Sequence, residues 1–305
     1  MIHKLEYRWQ VLFVVMIGTF MAAIDSSIVN ISIPAMMHSF SAPVHEVEWV
    51  ITSYLIAFAV FMPLTAWTKE RLGQKKLYIF SLLIFTVGSL LCGIANTLEL
   101  LVFARVVQAL GGGALTPSAM AMVSKVFKAE ERGSAIGIWG LGVVMGSAIG
   151  PTLGGFLTQE FGWRSIFLVN LPIGVIGIYL SITLIKELKE TLVRTKLDWL
   201  GFVSLTLFLV LFLYGVSQME GGPSHFHWLQ GVIFVSLVFL VFFIVYELKK
   251  ETPLLQLRLF GIPAYSACVF ITVTRTAALY GGLFLLPILL QSILKFSETA
   301  SGLFM

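Results

Sequence analysis

Ile136–Leu157 reads IGIWGLGVVMGSAIGPTLGGFL, an apolar stretch in which Gly137, Gly146, Gly150, Pro151, Gly154 and Gly155 form the pattern G-x8-G-x3-G-P-x2-G-G. In a soluble helix each of these glycines costs roughly 1 kcal/mol and the proline about 3 kcal/mol. Lipid changes those terms. Small residues let helix backbones approach closely, and neighbouring helices re-satisfy the backbone groups that a proline frees. The stretch therefore reads as a membrane helix shaped for tight contact.

The remainder of the chain agrees. Of its 305 residues 58% are hydrophobic and 12% charged, and the mean hydropathy is +0.93. A soluble domain is nearer half apolar and a quarter charged. The apolar residues cluster into runs of roughly 20, the length that spans a hydrocarbon core of about 30 Å. These runs predict helices over Val11–Pro34, Val47–Thr68, Leu77–Ala95, Leu98–Val123, Ser134–Leu157, Ser165–Ile185, Leu197–Ser217, Trp228–Glu247 and Ala264–Gln291. A tenth is expected to begin near Ala300. The class is an all-α polytopic membrane protein.

Orientation follows from the cations. Outside the spans, every lysine and arginine except Arg164 and Lys295 falls on alternate connections, on the side that holds Lys4 and Arg8. The positive-inside rule places that side, with the N-terminus, in the cytoplasm. The alternation also checks the span count, because one missed helix would scramble it. The net charge of +4 thus reports topology rather than nucleic-acid binding. Trp9, Trp49, Trp67, Trp163, Trp199 and Trp228 lie near expected span ends, where indoles favour the interface. Cys92 and Cys268 fall within spans and form neither a disulfide framework nor a metal site.

Ionisable groups at depth are functional candidates, because they cost several kcal/mol in lipid. Asp25 lies about 21 Å into the first span, and so roughly 9 Å from its outer edge. Arg105, on a helix running the other way, lies about 10 Å from that same edge. Two independent counts bring an acid and a base to one depth, which predicts a shared polar network. That network reads either as a static salt bridge locking two helices or as a protonation switch. Arg275 lies about 17 Å into its span, near the midplane. It is read as a cavity or substrate contact, with a structural partnership to Asp25 as the alternative. Asn30, Gln108 and Gln291, with the rings of Tyr54, Phe58 and Tyr280, complete a candidate substrate cavity.

Other features are blander. The loop Ala66–Lys76 holds Glu70, Arg71, Gly73, Lys75 and Lys76, and by composition alone is an ordinary positive-inside turn. His225 and His227 have no acid or thiol converging on them to complete a metal site. No phosphate-binding loop, nucleophile elbow or HExxH zinc motif occurs, so the sequence points to neither ATP hydrolysis nor another enzyme activity. The chain stops at Met305 in a fresh apolar run, and the expectation is a C-terminally truncated form of a longer transporter.

The residues also carry a resemblance. The chain resembles the fourteen-helix drug:proton antiporter branch of the major facilitator superfamily, whose antiporter motif the glycine helix matches at all its defining positions. Ile24–Pro34 resembles the family's first-helix motif, with Ser27 where threonine is usual, and Arg105–Gly111 its fourth-helix motif, with Ala109 for glycine. In the Ala66–Lys76 loop Ala66, Glu70 and Gln74 depart from the superfamily pattern while Arg71, Gly73 and Lys75 match. Trp163–Phe167, Asn170–Gly174 and Asp198–Gly201 also look family-specific.

The resemblance implies a multi-pass carrier of the cytoplasmic membrane that exports drugs or other lipophilic or cationic compounds in exchange for protons by alternating access. Residues 1–190 would be the N-terminal six-helix bundle, 191–250 two additional linker helices, and 251–305 the start of an incomplete C-terminal bundle. Asp25 and Arg105 would couple protons, the Glu70, Arg71, Gly73 and Lys75 loop would gate the cytoplasmic side, and the glycine helix would seal the bundle interface. The energy source would be the proton gradient, with no cofactor; the partners would be a small-molecule substrate, protons and the lipid bilayer, with room for a periplasmic adaptor and no nucleic acid. A dedicated exporter of one endogenous or anionic metabolite, or a non-transporting truncated fragment, is the alternative.

Overall fold

The computed structural model describes residues 6–187, 196–217 and 226–288. Among these residues there is no strand. The helices run α1 (Tyr7–Ile31), α2 (Ile33–Phe40), α3 (Val44–Val47), α4 (Trp49–Phe61), α5 (Leu64–Leu72), α6 (Gln74–Ile94), α7 (Leu98–Val126), α8 (Ala129–Phe161), α9 (Ser165–Leu168), α10 (Asn170–Leu184), α11 (Trp199–Ser217), α12 (Phe226–Lys249) and α13 (Pro263–Ile288). Among the described residues eight spans are long and apolar enough to cross a membrane, α3 and α4 together making one and α9 and α10 another. The ninth expected span is helical as α13, although its last residue, Gln291, lies outside the described residues. So do Ala300, where a tenth helix was expected, and His225.

Prolines act differently by place. The second span, expected to be continuous over Val47–Thr68, ends at Phe61 and resumes at Leu64. Pro63 stands in that gap and supplies no N–H to continue the ladder. Pro117 and Pro151 interrupt neither α7 nor α8. The glycine helix is longer than its apolar run, at 33 residues against the expected Ser134–Leu157. Its polar first turn is tied to α1 by an ion pair between Arg8 and Glu131.

The chain separates into two compact units after Phe243. In the first, α7 lies centrally and touches α1, α4, α5, α6 and α8. Thr97 caps it, its hydroxyl accepting from Leu100 N–H at 3.2 Å. The closest pairings are α1 with α8 and α6 with α7. Both depend on missing side chains. A Cβ on Gly88 of α6 would lie 2.5 Å from the backbone of Gln108 on α7. On α8, a Cβ at Gly146 or Gly154 would come within 2.9 Å of the carbonyl oxygen of Phe20 or Ile28, and one at Gly150 would strike Ser27. Glycines four apart share one helix face, so the seam follows directly from the spacing. The opposite face of α8 presents Leu141, Val144 and Phe156, all more than half exposed.

In the second unit a 3-10 turn over Leu257–Gly261 precedes α13. It is tethered to the end of α12, where Glu247 accepts the N–H of Leu255 at 3.1 Å and Arg258 donates to the carbonyl of Leu248 at 3.0 Å.

The seam makes a prediction about stability in detergent. Gly146→Ala and Gly154→Ala should each lower the thermal unfolding midpoint through about 1–3 kcal/mol of overpacking. Gly137→Ala, where an added Cβ meets nothing within 4 Å, should leave the midpoint unchanged or raise it by up to about 1 kcal/mol. Unchanged or raised midpoints at Gly146 and Gly154 as well would mean that backbone entropy, not the seam, governs these positions.

A buried ion pair as the candidate functional site

Asp25 and Arg105 meet directly. Arg105 Nη1 donates to Asp25 Oδ2 at 2.6 Å, with the side chains 1% and 0% exposed. The matched depths read from the sequence are therefore realised as a contact between α1 and α7. Gln108, one helical turn after Arg105, bridges the pair. Its carbonyl accepts from Arg105 Nη1 at 2.5 Å, and its amide donates to Asp25 Oδ1 at 2.8 Å and to Ser89 Oγ at 2.7 Å. From α10, Asn170 Nδ2 adds donors to Asp25 Oδ1 at 2.9 Å and to Ser89 Oγ at 3.3 Å. Arg105 Nε donates to the Val50 carbonyl of α4 at 3.1 Å.

Aromatic faces complete the enclosure. The guanidinium carbon lies 4.0 Å from the Tyr54 ring centroid and 5.6 Å from that of Phe167. A cation stacked on desolvated rings gains from the ring quadrupole where water cannot compete. Cys92 Sγ donates weakly to the Gln108 carbonyl at 3.9 Å. The first, second, third, fourth and sixth spans all supply a group.

The donor set has a direction. Oδ2 faces arginine and Oδ1 faces two amide N–H groups, so the pocket is complementary to a carboxylate. The buried acceptor Asn170 Oδ1 has no partner among the described residues. The arrangement thus joins three helices through one buried carboxylate. Among the described residues no cluster of histidine, cysteine, aspartate or glutamate could hold a metal ion.

Other expected site residues fall elsewhere. Asn30 is exposed on α1 and takes no part in the network. Arg275 is exposed at the middle of α13, in the second unit, and both oxygens of Asp25 are already filled by first-unit donors. Gln291 lies outside the described residues, as does the side chain of Tyr280. In the loop, Glu70 and Arg71 are exposed, and Arg71 stacks 4.3 Å from the Trp67 centroid. Lys75 donates to the Ile182 carbonyl at 2.9 Å. Gly73 turns α5 into α6 at φ 78°, a left-handed angle that residues with a Cβ rarely take. Gln74, at the superfamily's arginine position, is buried and donates to the Ser118 carbonyl at 2.9 Å. Gly146, Gly150 and Gly154 face α1, while Gly137 and Pro151 are exposed and Gly155 is partly so.

Sequence reasoning did not single out Ser89 or give Asn170 a role. Their signal was available: each is an uncharged polar residue in or at the start of an apolar span.

The sequence model of the Major Facilitator Superfamily matches residues 15–305. The chain belongs to the major facilitator superfamily. Within it, the chain is 34% identical over 292 residues to an uncharacterized MFS-type transporter, YhcA, of Bacillus subtilis, covering 96% of this chain and 55% of that protein. It is 30% identical over 293 residues to the multidrug export protein EmrB of Escherichia coli, covering 94% and 56%. It is 32% identical over 299 residues to multidrug resistance protein 3 of Bacillus subtilis, again covering 94% and 56%. The chain thus spans little more than half the length of these relatives. Among solved structures, a D-xylose–proton symporter aligns with a TM-score of 0.56 at 15% identity, over 76% of this chain and 66% of that one. The xylose transporter XylE of Escherichia coli aligns at 0.55 and 12% identity, over 74% and 58%. These two likenesses establish the superfamily fold.

A buried pair is costly to break from one side. Arg105→Leu should destabilise the chain by about 3–5 kcal/mol, because it strands a carboxylate away from water. Adding Asp25→Leu should recover much of that loss. Unfolding in mixed detergent–SDS micelles measures both, and strictly additive losses would show that the two residues are not energetically coupled.

Proposed function

We propose that the chain belongs to a proton-driven antiporter of the cytoplasmic membrane that exports drugs or other lipophilic or cationic compounds, with its N-terminus in the cytoplasm. The observation that carries this reading is the Asp25–Arg105 pair, fully buried and with amide donors from α7 and α10 on the same carboxylate. The names of EmrB and of multidrug resistance protein 3, with which 94% of this chain aligns, support the export of drugs.

The mechanism follows from the donor set. With Asp25 ionised, Arg105 and Gln108 hold α1 against α7, and Asn170 holds α10 to the same carboxylate. Proton uptake removes the charge that Arg105 faces and introduces a donor. Rotation of the Asn170 amide presents its unpartnered oxygen to that new hydrogen, while Arg105 is released from its carboxylate towards the Val50 carbonyl and the Tyr54 face. The exchange alters what binds α1 to α7, and so biases two packings of the same helices. The first six spans serve as the coupling bundle, α11 and α12 as the additional pair, and the segment from 251 as the opening of a second bundle. In this scheme the loop with Glu70, Arg71, Gly73 and Lys75 gates the cytoplasmic side.

The test is accumulation of a fluorescent lipophilic cation in cells, with and without an uncoupler. The chain, or the longer gene product that contains it, should lower accumulation only while the proton gradient stands. Asp25→Asn should abolish that effect at unchanged membrane abundance. Gradient-dependent efflux that survives Asp25→Asn would leave the pair as a static lock between helices.

A further inference from the structure

A groove of about 350 Å³ lies between α5, α6 and α7, away from the ion pair. Phe61, Leu64, Phe80 and Ile84 line it with Thr65 and Thr68, and its inner wall is Leu110 and Ala114 of α7. On α6 its residues end at Ile84, more than one turn before Ser89 on the charged-loop side, so the groove opens at the other end of the helix from the network. Phe80 is 47% exposed, which leaves the groove open along its outer side. Its size falls within the range of about 300–1,000 Å³ typical of ligand sites.

Two further observations state what would fit there. Thr65 is 8% exposed, lines the groove, and its hydroxyl has no hydrogen-bond partner among the described residues. The neighbouring hydroxyls are spent, Thr68 donating to the Leu64 carbonyl at 2.8 Å and Ser81 to the Leu77 carbonyl at 2.8 Å. A buried hydroxyl left without a partner is costly, and this one lies in an apolar channel. Lysines flank the lining residues in the sequence. Lys69 stands four residues after Thr65 and Lys76 four before Phe80, so each shares a helix face with a lining residue. Lys69, Arg71, Lys75 and Lys76 outweigh Glu70 within eight residues, and the nearest acid across the turn is Glu187, 3.5 Å from Lys76.

An occupant must therefore be apolar along most of its length, accept one hydrogen bond at the depth of Thr65, and end in a negative charge. We propose that this groove seats an anionic glycerophospholipid of the adjoining leaflet. One acyl chain lies along Phe61, Leu64, Phe80 and Ile84. An ester carbonyl accepts from Thr65 Oγ, and the phosphate faces Lys69 and Lys76. A cationic transport substrate fits badly, because none of the described lining residues is an acid and lysines outnumber acids in the adjoining turn.

Native mass spectrometry of the 305-residue chain, released from a mild detergent, tests the proposal with phosphatidylglycerol and phosphatidylcholine of identical acyl chains. The chain should retain phosphatidylglycerol in preference to phosphatidylcholine. Lys69→Gln with Lys76→Gln should cut that preference about 25-fold, at about fivefold for each lysine lost near a lipid headgroup. Thr65→Val, which keeps the shape and removes only the hydroxyl, should weaken retention of both lipids by about fivefold. Ala114→Phe, which fills the groove from its inner wall, should abolish retention while leaving the helical circular dichroism unchanged. Equal retention of the two lipids by the unaltered chain overturns the proposal. So does unchanged retention in Thr65→Val together with Ala114→Phe, which would mean a loose shell of lipid around the helices. None of these residues belongs to the ion pair, so gradient-driven efflux tests the transport reading separately.

Discussion

An acid and an arginine with almost no exposed surface, in a chain otherwise built to sit in hydrocarbon, constrain everything around them. Removing two charges from water costs several kcal/mol per ion, and the attraction between them repays this only when the remaining lone pairs and protons are also satisfied. Asp25 and Arg105 meet that condition by drawing on five spans. α7 supplies the arginine and Gln108, α4 a backbone carbonyl and a ring, α6 a hydroxyl, and α10 an amide. The helices are thereby fixed in register, because a slip of one residue along any of them would strand a charge or an amide in an apolar interior.

The close approach that this requires is itself written in small residues. Gly88 and Gly111 let α6 and α7 approach until the backbone of one meets the missing side chain of the other. Ser89, next to Gly88, is thereby brought within 2.7 Å of Gln108. Packing and polarity are one constraint here. A bulkier residue at Gly88 would push Ser89 away from the amide it satisfies.

Several of these features were legible in the sequence, and helical geometry explains which. Asp25 and Arg105 could be paired because charged residues in apolar runs are few and depth can be counted along a helix. Gln108 follows Arg105 by three residues and shares its face, whereas Asn30 follows Asp25 by five, about 140° round the helix, and points elsewhere. Ser89 and Asn170 carry no charge, and their polarity within apolar spans is a weaker signal than that of Asp25 or Arg105. The breaks were harder still. Pro63 ends a helix while Pro117 and Pro151 do not, and the difference lies in neighbouring helices that no local pattern records. In the glycine helix the spacing of four predicted a tight seam correctly, but the motif divides between two faces. Gly146, Gly150 and Gly154 meet α1 closely, Gly155 only grazes it at Ile31, and Gly137 and Pro151 are exposed.

That division ties together two features that the sequence suggests are separate. α1 carries Asp25 on the side that meets Arg105, and the adjoining residues Ser27 and Ile28 meet Gly150 and Gly154 on α8. The seam has no slack, since the carbonyl of Ile28 already lies 2.9 Å from where a Gly154 side chain would begin. A rotation of α1 that carried Asp25 away from Arg105 would also move Ser27 and Ile28 against the glycine face, so the two contacts are geometrically coupled. The first helix is then the shared part, held to α7 by Asp25 and seated on the glycines of α8 through Ser27 and Ile28.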